Sequence, residues 1–278
     1  MARKVDHSLL DRAKINKKDE FYTQLADIER ELAYYEQHFR NKTVFCNCDD
    51  VRKSNFYRYF TENFERLGLK KVICACYRKS DRDLFSDGGA DIVVSNPPFS
   101  LFREYISQLD RYRKKFLVIG NINAITYKEV FALIRENKAW MGVNMGRGIS
   151  GFIVPEDYEL YGLETKIGEA GERIVSPNNC MWLTNLDNAC RHGFIPLTKK
   201  YRGNEAAYPK FDNYDAINVG RTRDIPFDYK GVMGVPITFL HRFNPDQFKI
   251  VKFRKGNDEK DLRVGGKPTY FRILIQSR

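Results

Sequence analysis

The string Asp91-Ile92-Val93-Val94-Ser95-Asn96-Pro97-Pro98-Phe99 runs an apolar, strand-like segment directly into Asn-Pro-Pro-Phe. Two consecutive prolines fix the backbone and remove its amide donors. The Asn96 side-chain oxygen and the Pro97 carbonyl are then two acceptors that can point at one exocyclic amine. An amine held this way turns its lone pair outward, where a methyl group on a sulfonium is a suitable electrophile. Phe99 offers a flat face for an extruded base, and extrusion is required because an amino group inside a duplex is out of reach for in-line attack. No acid or base with a tuned pKa is needed, because the sulfide leaves readily and the proton departs after transfer. Positioning by Asn96, Pro97, Pro98 and Phe99 supplies most of the rate. The plainer reading of the same string, an Asn-Pro turn that closes a strand, stays open at this point.

A second polar cluster, Asn47-Cys48-Asp49-Asp50, follows another apolar run. It lacks glycine, so it is not a phosphate-type loop. Asp49 or Asp50, beside Asn47, suits the ammonium carried by the methionine part of S-adenosylmethionine. Phe21, Tyr22 and Thr23, read as the head of the first helix, would wall that pocket. Tyr77 stands near the end of the next strand, where an acidic residue would hold ribose hydroxyls; Asp81 and Asp83 are the nearby substitutes. A solvated acidic turn remains the alternative.

The elements that position these residues follow from periodicity. Phe21, Leu25, Ile28, Leu32, Tyr35 and Phe39 recur at steps of three and four, which predicts an amphipathic helix. A strand over 43–46 follows. Ser54 as start signal, the stripe Phe56, Phe60, Phe64 and Leu67, and Gly68 as stop predict a second helix. Strands over 71–76, 91–95 and 116–120 alternate with helices over 100–113 and 126–136. Nearly continuous apolar strands belong to a parallel sheet covered on both faces, whose ligands bind beyond the carboxyl ends of the strands. The expected fold is therefore α/β and Rossmann-like, with a mostly parallel sheet and an inserted recognition region. The expected division is a basic arm over 1–18, a core over 19–139, a recognition region over 140–230 and a segment over 231–278 that returns to the core. Residues 78–90 leave room for only a very short crossover.

Lys and Arg number 47 against 36 Asp and Glu, a formal charge of +11, which points to a polyanionic partner. Within the region after Trp140, Arg147 lies between glycines that permit close approach of backbone to a phosphate or guanine, or is a solvated loop arginine. Asn178 and Asn179 suit the paired hydrogen bonds of an adenine edge, or form a turn. Lys199, Lys200, Lys210, Arg221 and Arg223 fit phosphate positioning. The six cysteines read as free thiols. Cys46-x-Cys48 and Cys74-x-Cys76 sit at period two in apolar runs, a buried-face pattern rather than a zinc site. His7, His38, His192 and His241 are scattered, and no metal is expected. With no apolar run of membrane length and no secretory signal, a cytoplasmic protein is expected.

With these residues in place, the chain resembles the EcoRI-type DNA adenine methyltransferases from end to end. The matching strings include KDEFYTQ, CNCDD, SNFYRYF, DIVVSNPPFSLFREY, GRGISGFIVPEDYELYG, SPNNCMWLTNLD, YDAIN and GVMGVPITFLHRFNPDQF. The resemblance implies methyl transfer from S-adenosylmethionine to adenine N6 in double-stranded DNA, at the second adenine of GAATTC, by a monomer. It also implies a departure: a stretch of several tens of residues is missing between Ser86 and Asp87. Family members carry there a glycine- and aspartate-rich element, of which Asp87 with Gly88 and Gly89 is the remnant, and Asp87 joins the candidate cofactor residues. The competing readings are a DNA-binding relative impaired in catalysis, and an enzyme that methylates an RNA base or a protein amide.

Overall fold

The computed structural model describes residues 22–47, 51–75, 89–144, 149–155, 165–168, 171–176 and 179–278. The chain divides into two compact units, Met1–Val130 with Gly142–Leu186, and Phe131–Met141 with Asp187–Arg278.

Through the first unit run β1 (Tyr22–Thr23), α1 (Leu25–Leu32), β2 (Thr43–Asn47), α2 (Asn55–Glu62), α3 (Phe64–Leu67), β3 (Lys71–Ala75), β4 (Ile92–Ser95), α4 (Phe102–Arg111), β5 (Lys115–Asn121), β6 (Phe152–Val154), β7 (Thr165–Ile167), β8 (Arg173–Val175) and β9 (Cys180–Thr184). Five of these strands lie side by side in the order β3-β2-β4-β5-β9. The first four are mutually parallel, with Val44 opposite Val72 and Ile92, and Val94 opposite Leu117. β9 closes against β5 antiparallel, Cys180 opposite Asn121. Val44, Val94, Leu117, Ile119 and Trp182 are fully buried, as apolar strands covered on both faces must be.

The helices follow local signals. Ser54 caps α2, its hydroxyl accepting the Tyr57 N–H at 3.0 Å, an arrangement worth about 1 kcal/mol. The expected single helix is broken at Asn63, whose amide donates to the Tyr59 carbonyl at 2.9 Å, because a side chain able to bond its own backbone competes with the helix. Gly68 ends α3 at φ +60, a left-handed conformation that costs other residues more.

The start of the chain departs from expectation. Tyr22–Thr23 is not the head of a helix but a strand, paired with Ile153 and Phe152 in an antiparallel sheet of order β1-β6-β8-β7. The helix begins only at Leu25 and is regular to Leu32, with the 3-10 turn Glu36–His38 beyond it. Tyr and Thr favour a pleated surface, and a distant partner strand outweighs the helical spacing of their neighbours.

In the second unit β10 (Lys210–Phe211), β11 (Tyr214–Asn218), β12 (Met233–Pro236), β13 (Phe248–Phe253) and β14 (Arg272–Ser277) form a sheet of order β10-β11-β12-β14-β13. β11 and β12 are parallel, with Ile217 opposite Met233; the other pairs are antiparallel. Phe211, Ala216, Leu262 and Leu274 form a buried cluster. Among the described residues no helix is long and apolar enough to cross a membrane.

Candidate active site at the strand ends

Because β2, β4 and β5 are parallel, their carboxyl ends Asn47, Ser95-Asn96 and Asn121 share one edge of the sheet. β9 enters at that edge and brings Asn179, whose carbonyl accepts the Ile122 N–H at 2.7 Å. Asn47 is gripped twice: the Ser95 hydroxyl donates to its carbonyl, and the Tyr105 hydroxyl of α4 donates to its Oδ1. Ser95 and Tyr105 are both buried. With Oδ1 engaged, the side chain presents Nδ2, a buried donor with no acceptor among the described residues. Thr23 Oγ1 is likewise buried without a protein partner there, while the Thr23 carbonyl accepts the Asn55 amide at 2.8 Å. A buried polar atom left without a partner costs about 1–3 kcal/mol. That two such atoms belong to residues assigned to the cofactor from sequence fits a ligand that completes them.

Asn96 is 8% exposed and Pro97 is buried, while Pro98 and Phe99 are half-buried. The Pro98 carbonyl accepts the Leu101 N–H at 3.0 Å and opens the 3-10 turn Phe99–Leu101 that leads into α4. The turn following the prolines is thus closed through Pro98, one residue beyond the carbonyl expected to act on an amine. The Phe99 ring meets Phe152 of β6 edge to face, centroids 6.4 Å apart at 80°. That contact fixes its orientation from one side.

Tyr22 lies under the Lys53 ammonium, 5.6 Å from ring centroid to Nζ. Phe21, Asp49, Asp50, Tyr77, Asp81, Asp83, Asp87, Arg147 and Asn178 lie outside the described residues. Lys199, Lys200, Lys210, Arg221 and Arg223 are exposed side chains of the second unit, and Asn179 is exposed in the first. His192 Nε2 lies 2.9 Å from Asp187. Burial, and then the neighbouring Arg242 cation, push the His241 imidazole below its ordinary pKa.

Four residues of this region escape the sequence reading. Ser95 and Tyr105 occupy positions that look like ordinary strand and helix core. Asp27 and Glu31, one turn apart on α1, are both buried carboxylates. Asp27 accepts the Ser150 N–H at 2.7 Å and its hydroxyl at 2.8 Å. Glu31 accepts the Val143 and Asn144 N–H groups at 2.8 and 2.7 Å, the Asn144 amide at 3.0 Å and the Tyr35 hydroxyl at 3.0 Å. One helix therefore anchors the chain on both sides of residues 145–148. Gly142 makes this possible, since a Cβ there would collide with Glu31 Oε1 and Trp182. Desolvation raises the Glu31 carboxyl above the usual range, against the lowering effect of its hydrogen bonds. A carboxylate pair at helical spacing gives no sign in sequence that it faces inward.

Comparison with known proteins supplies the class. The family described as adenine-specific methyltransferase EcoRI matches residues 9–89 and 87–278. The chain is 56% identical over 322 aligned residues to the Type II methyltransferase M.EcoRI of Escherichia coli, covering 100% of this chain and 99% of that protein. It is 36% identical to the Type II methyltransferase M.MgeORF184P of Mycoplasma genitalium, over 96% of this chain and 98% of that protein. It is 34% identical to the Type II methyltransferase M.MpnI of Mycoplasma pneumoniae, over 96% and 97%. The chain belongs to the EcoRI family of adenine-specific methyltransferases. The family match divides at residues 87–89, and the 322-residue alignment exceeds the 278 residues of the chain, in keeping with a stretch missing beside Asp87.

Proposed function

We propose that this methyltransferase transfers the methyl group of S-adenosylmethionine to N6 of an adenine swung out of duplex DNA, at the second adenine of GAATTC. The observation that carries the reading is the meeting, at one sheet edge, of the buried Asn96-Pro97 pair with the Asn47 amide fixed by Ser95 and Tyr105. When bound, S-adenosylmethionine supplies a methyl group made electrophilic by its sulfonium. Asn47 Nδ2 and Thr23 Oγ1 would hold it as donors, and Tyr22, with Phe21, Asp49, Asp50, Tyr77 and Asp87, would complete its pocket. Asn96 Oδ1 and the Pro97 carbonyl accept hydrogen bonds from the adenine amine, and Phe99 stacks on the base. The four parallel strands β3-β2-β4-β5 act as the Rossmann-like layer. Target recognition falls to residues 140–230, with Arg147, Asn178 and Asn179 toward the bases and Lys199, Lys200, Lys210, Arg221 and Arg223 on phosphates. The enzyme works as a monomer in the cytoplasm, protecting host DNA. Plasmid treated with protein and cofactor should resist an endonuclease that cuts GAATTC; complete cutting after exhaustive treatment defeats the assignment of the site.

The division of the family match at residues 87–89 favours a second reading, a DNA-binding relative whose cofactor pocket is incomplete. Calorimetric titration with S-adenosylmethionine separates the two, since only the first predicts saturable binding at one site per chain.

A further inference from the structure

The second unit carries a basic cleft that the methyl-transfer site does not use. β11 and β12 run parallel, with Asn218 opposite Gly234, and the Val219 N–H donates to the Gly234 carbonyl at 2.9 Å. The segments that leave the two strands therefore emerge at the same end of the sheet. After β11 comes the 3-10 turn Thr222–Asp224, preceded by Arg221; after β12 comes the 3-10 helix Ile237–Arg242. Between them is a cleft of about 540 Å³ lined by Arg221, Thr222, Arg223, Thr238, His241 and Arg242.

Its lining is chemically one-sided. Arg221, Arg223 and Arg242 are exposed, and none is ion-paired to a carboxylate among the described residues. In the same turn the Asp224 backbone carbonyl accepts the Tyr208 hydroxyl at 3.0 Å, which ties the turn to Tyr208. Three guanidiniums held near one another without counter-charge repel, and arrangements of that kind are stabilised by an anion that accepts several N–H bonds at once. The Thr222 and Thr238 hydroxyls add neutral donors at the rim. Phosphodiester oxygens, acceptors only, match a lining of guanidinium, hydroxyl and imidazole groups.

We infer that this cleft is a phosphate clamp for the backbone of the substrate duplex, in which Arg242 completes a site begun by Arg221 and Arg223, and that it sets affinity and register without reading sequence. The inference rests on the proposal that this chain acts on duplex DNA.

The test uses the full chain with Arg223→Gln, Arg242→Gln and the double variant. Dissociation constants are measured from low to physiological salt, on a GAATTC duplex and on a scrambled duplex of equal length. The expected result is equal weakening on both duplexes, with the salt slope reduced by roughly one for each arginine removed, and with cofactor affinity unchanged. Loss confined to the GAATTC duplex would make the cleft a base reader and overturn the proposal, as would unchanged affinity and slope. Failure of the wild-type chain to bind either duplex would instead refute the DNA reading itself. A second measurement needs no variant to be well behaved: methylphosphonate groups that neutralise single phosphates are scanned along the duplex with wild-type protein. One or two positions should weaken binding several-fold, and those same positions should lose their effect in Arg242→Gln. Additive losses at every position would show that Arg242 touches no phosphate.

Discussion

Replacing Glu31 tests how α1 holds the chain at Val143 and Asn144. Glu31→Ala removes the acceptor of four donors: two backbone N–H groups, the Asn144 amide and the Tyr35 hydroxyl. Tyr35 is fully buried, whereas Val143 and Asn144 are half-exposed and regain water in part. Counting about 1 kcal/mol per donor rather than the full burial penalty gives a loss of roughly 3–4 kcal/mol. For a chain of this size that lowers the melting temperature by roughly 5–10 °C. Glu31→Gln keeps one acceptor, cannot titrate, and should lose less than Glu31→Ala. Burial raises the Glu31 carboxyl, so the folded protein holds that proton more tightly than the unfolded chain does. Its contribution to stability is therefore complete below the usual glutamate range and declines as pH rises through the folded value. Relative to Glu31→Gln, wild type should be at its most stable in mild acid and lose stability toward neutral pH. Melting curves of the three proteins across that range decide the matter. A Glu31→Ala protein that melts with wild type, or a wild type that gains on Glu31→Gln as pH rises, refutes the reasoning.

Other perturbations have smaller and more local signatures. Tyr105→Phe deletes the hydroxyl that fixes Asn47 Oδ1; KM for S-adenosylmethionine should rise several-fold with kcat little changed, and the opposite split in steady-state kinetics would count against a cofactor role for Asn47. Gly142→Ala forces a methyl against Glu31 and Trp182 and should cost about 1–3 kcal/mol in denaturant titration; a neutral result would show that the Glu31 anchor yields easily. Ser54→Ala removes the cap of α2, for which thermal unfolding should report a loss of about 1 kcal/mol without any change in DNA affinity.

What could be read from sequence was what neighbouring residues determine. Ser54 and Gly68 announce the ends of their helical stretch because capping and left-handed backbone act over a single turn. The apolar runs of β2, β4 and β5 announce buried strands, and Asn96 stands out because two prolines leave its turn little conformational choice. Tyr22–Thr23 reads as helix in sequence but pairs as a strand with Phe152 and Ile153, and local spacing says nothing about a pairing at that distance. The same is true of β11 and β12, whose parallel pairing creates the basic cleft while their sequences show only two short apolar runs. Which sheet β13 and β14 join also depends on partners remote in the chain. Tyr105 looked like one more apolar position on an amphipathic helix, since periodicity reports which face is buried and not which buried hydroxyl meets an amide. Asp27 and Glu31 hid for the converse reason, as carboxylates are ordinarily assigned to solvent.

The central claim is that Asn96 acts on the amino group of the target base and not on the cofactor. The direct measurement incubates wild type and Asn96→Ala with isotopically labelled S-adenosylmethionine and a GAATTC duplex, quantifies N6-methyladenine by mass spectrometry, and titrates cofactor binding in parallel. Wild type should yield labelled N6-methyladenine at the second adenine, and Asn96→Ala should lose transfer by at least about a thousandfold while keeping cofactor affinity within a few fold of wild type. Substantial methylation by Asn96→Ala, or cofactor affinity lost in step with transfer, would contradict the claim.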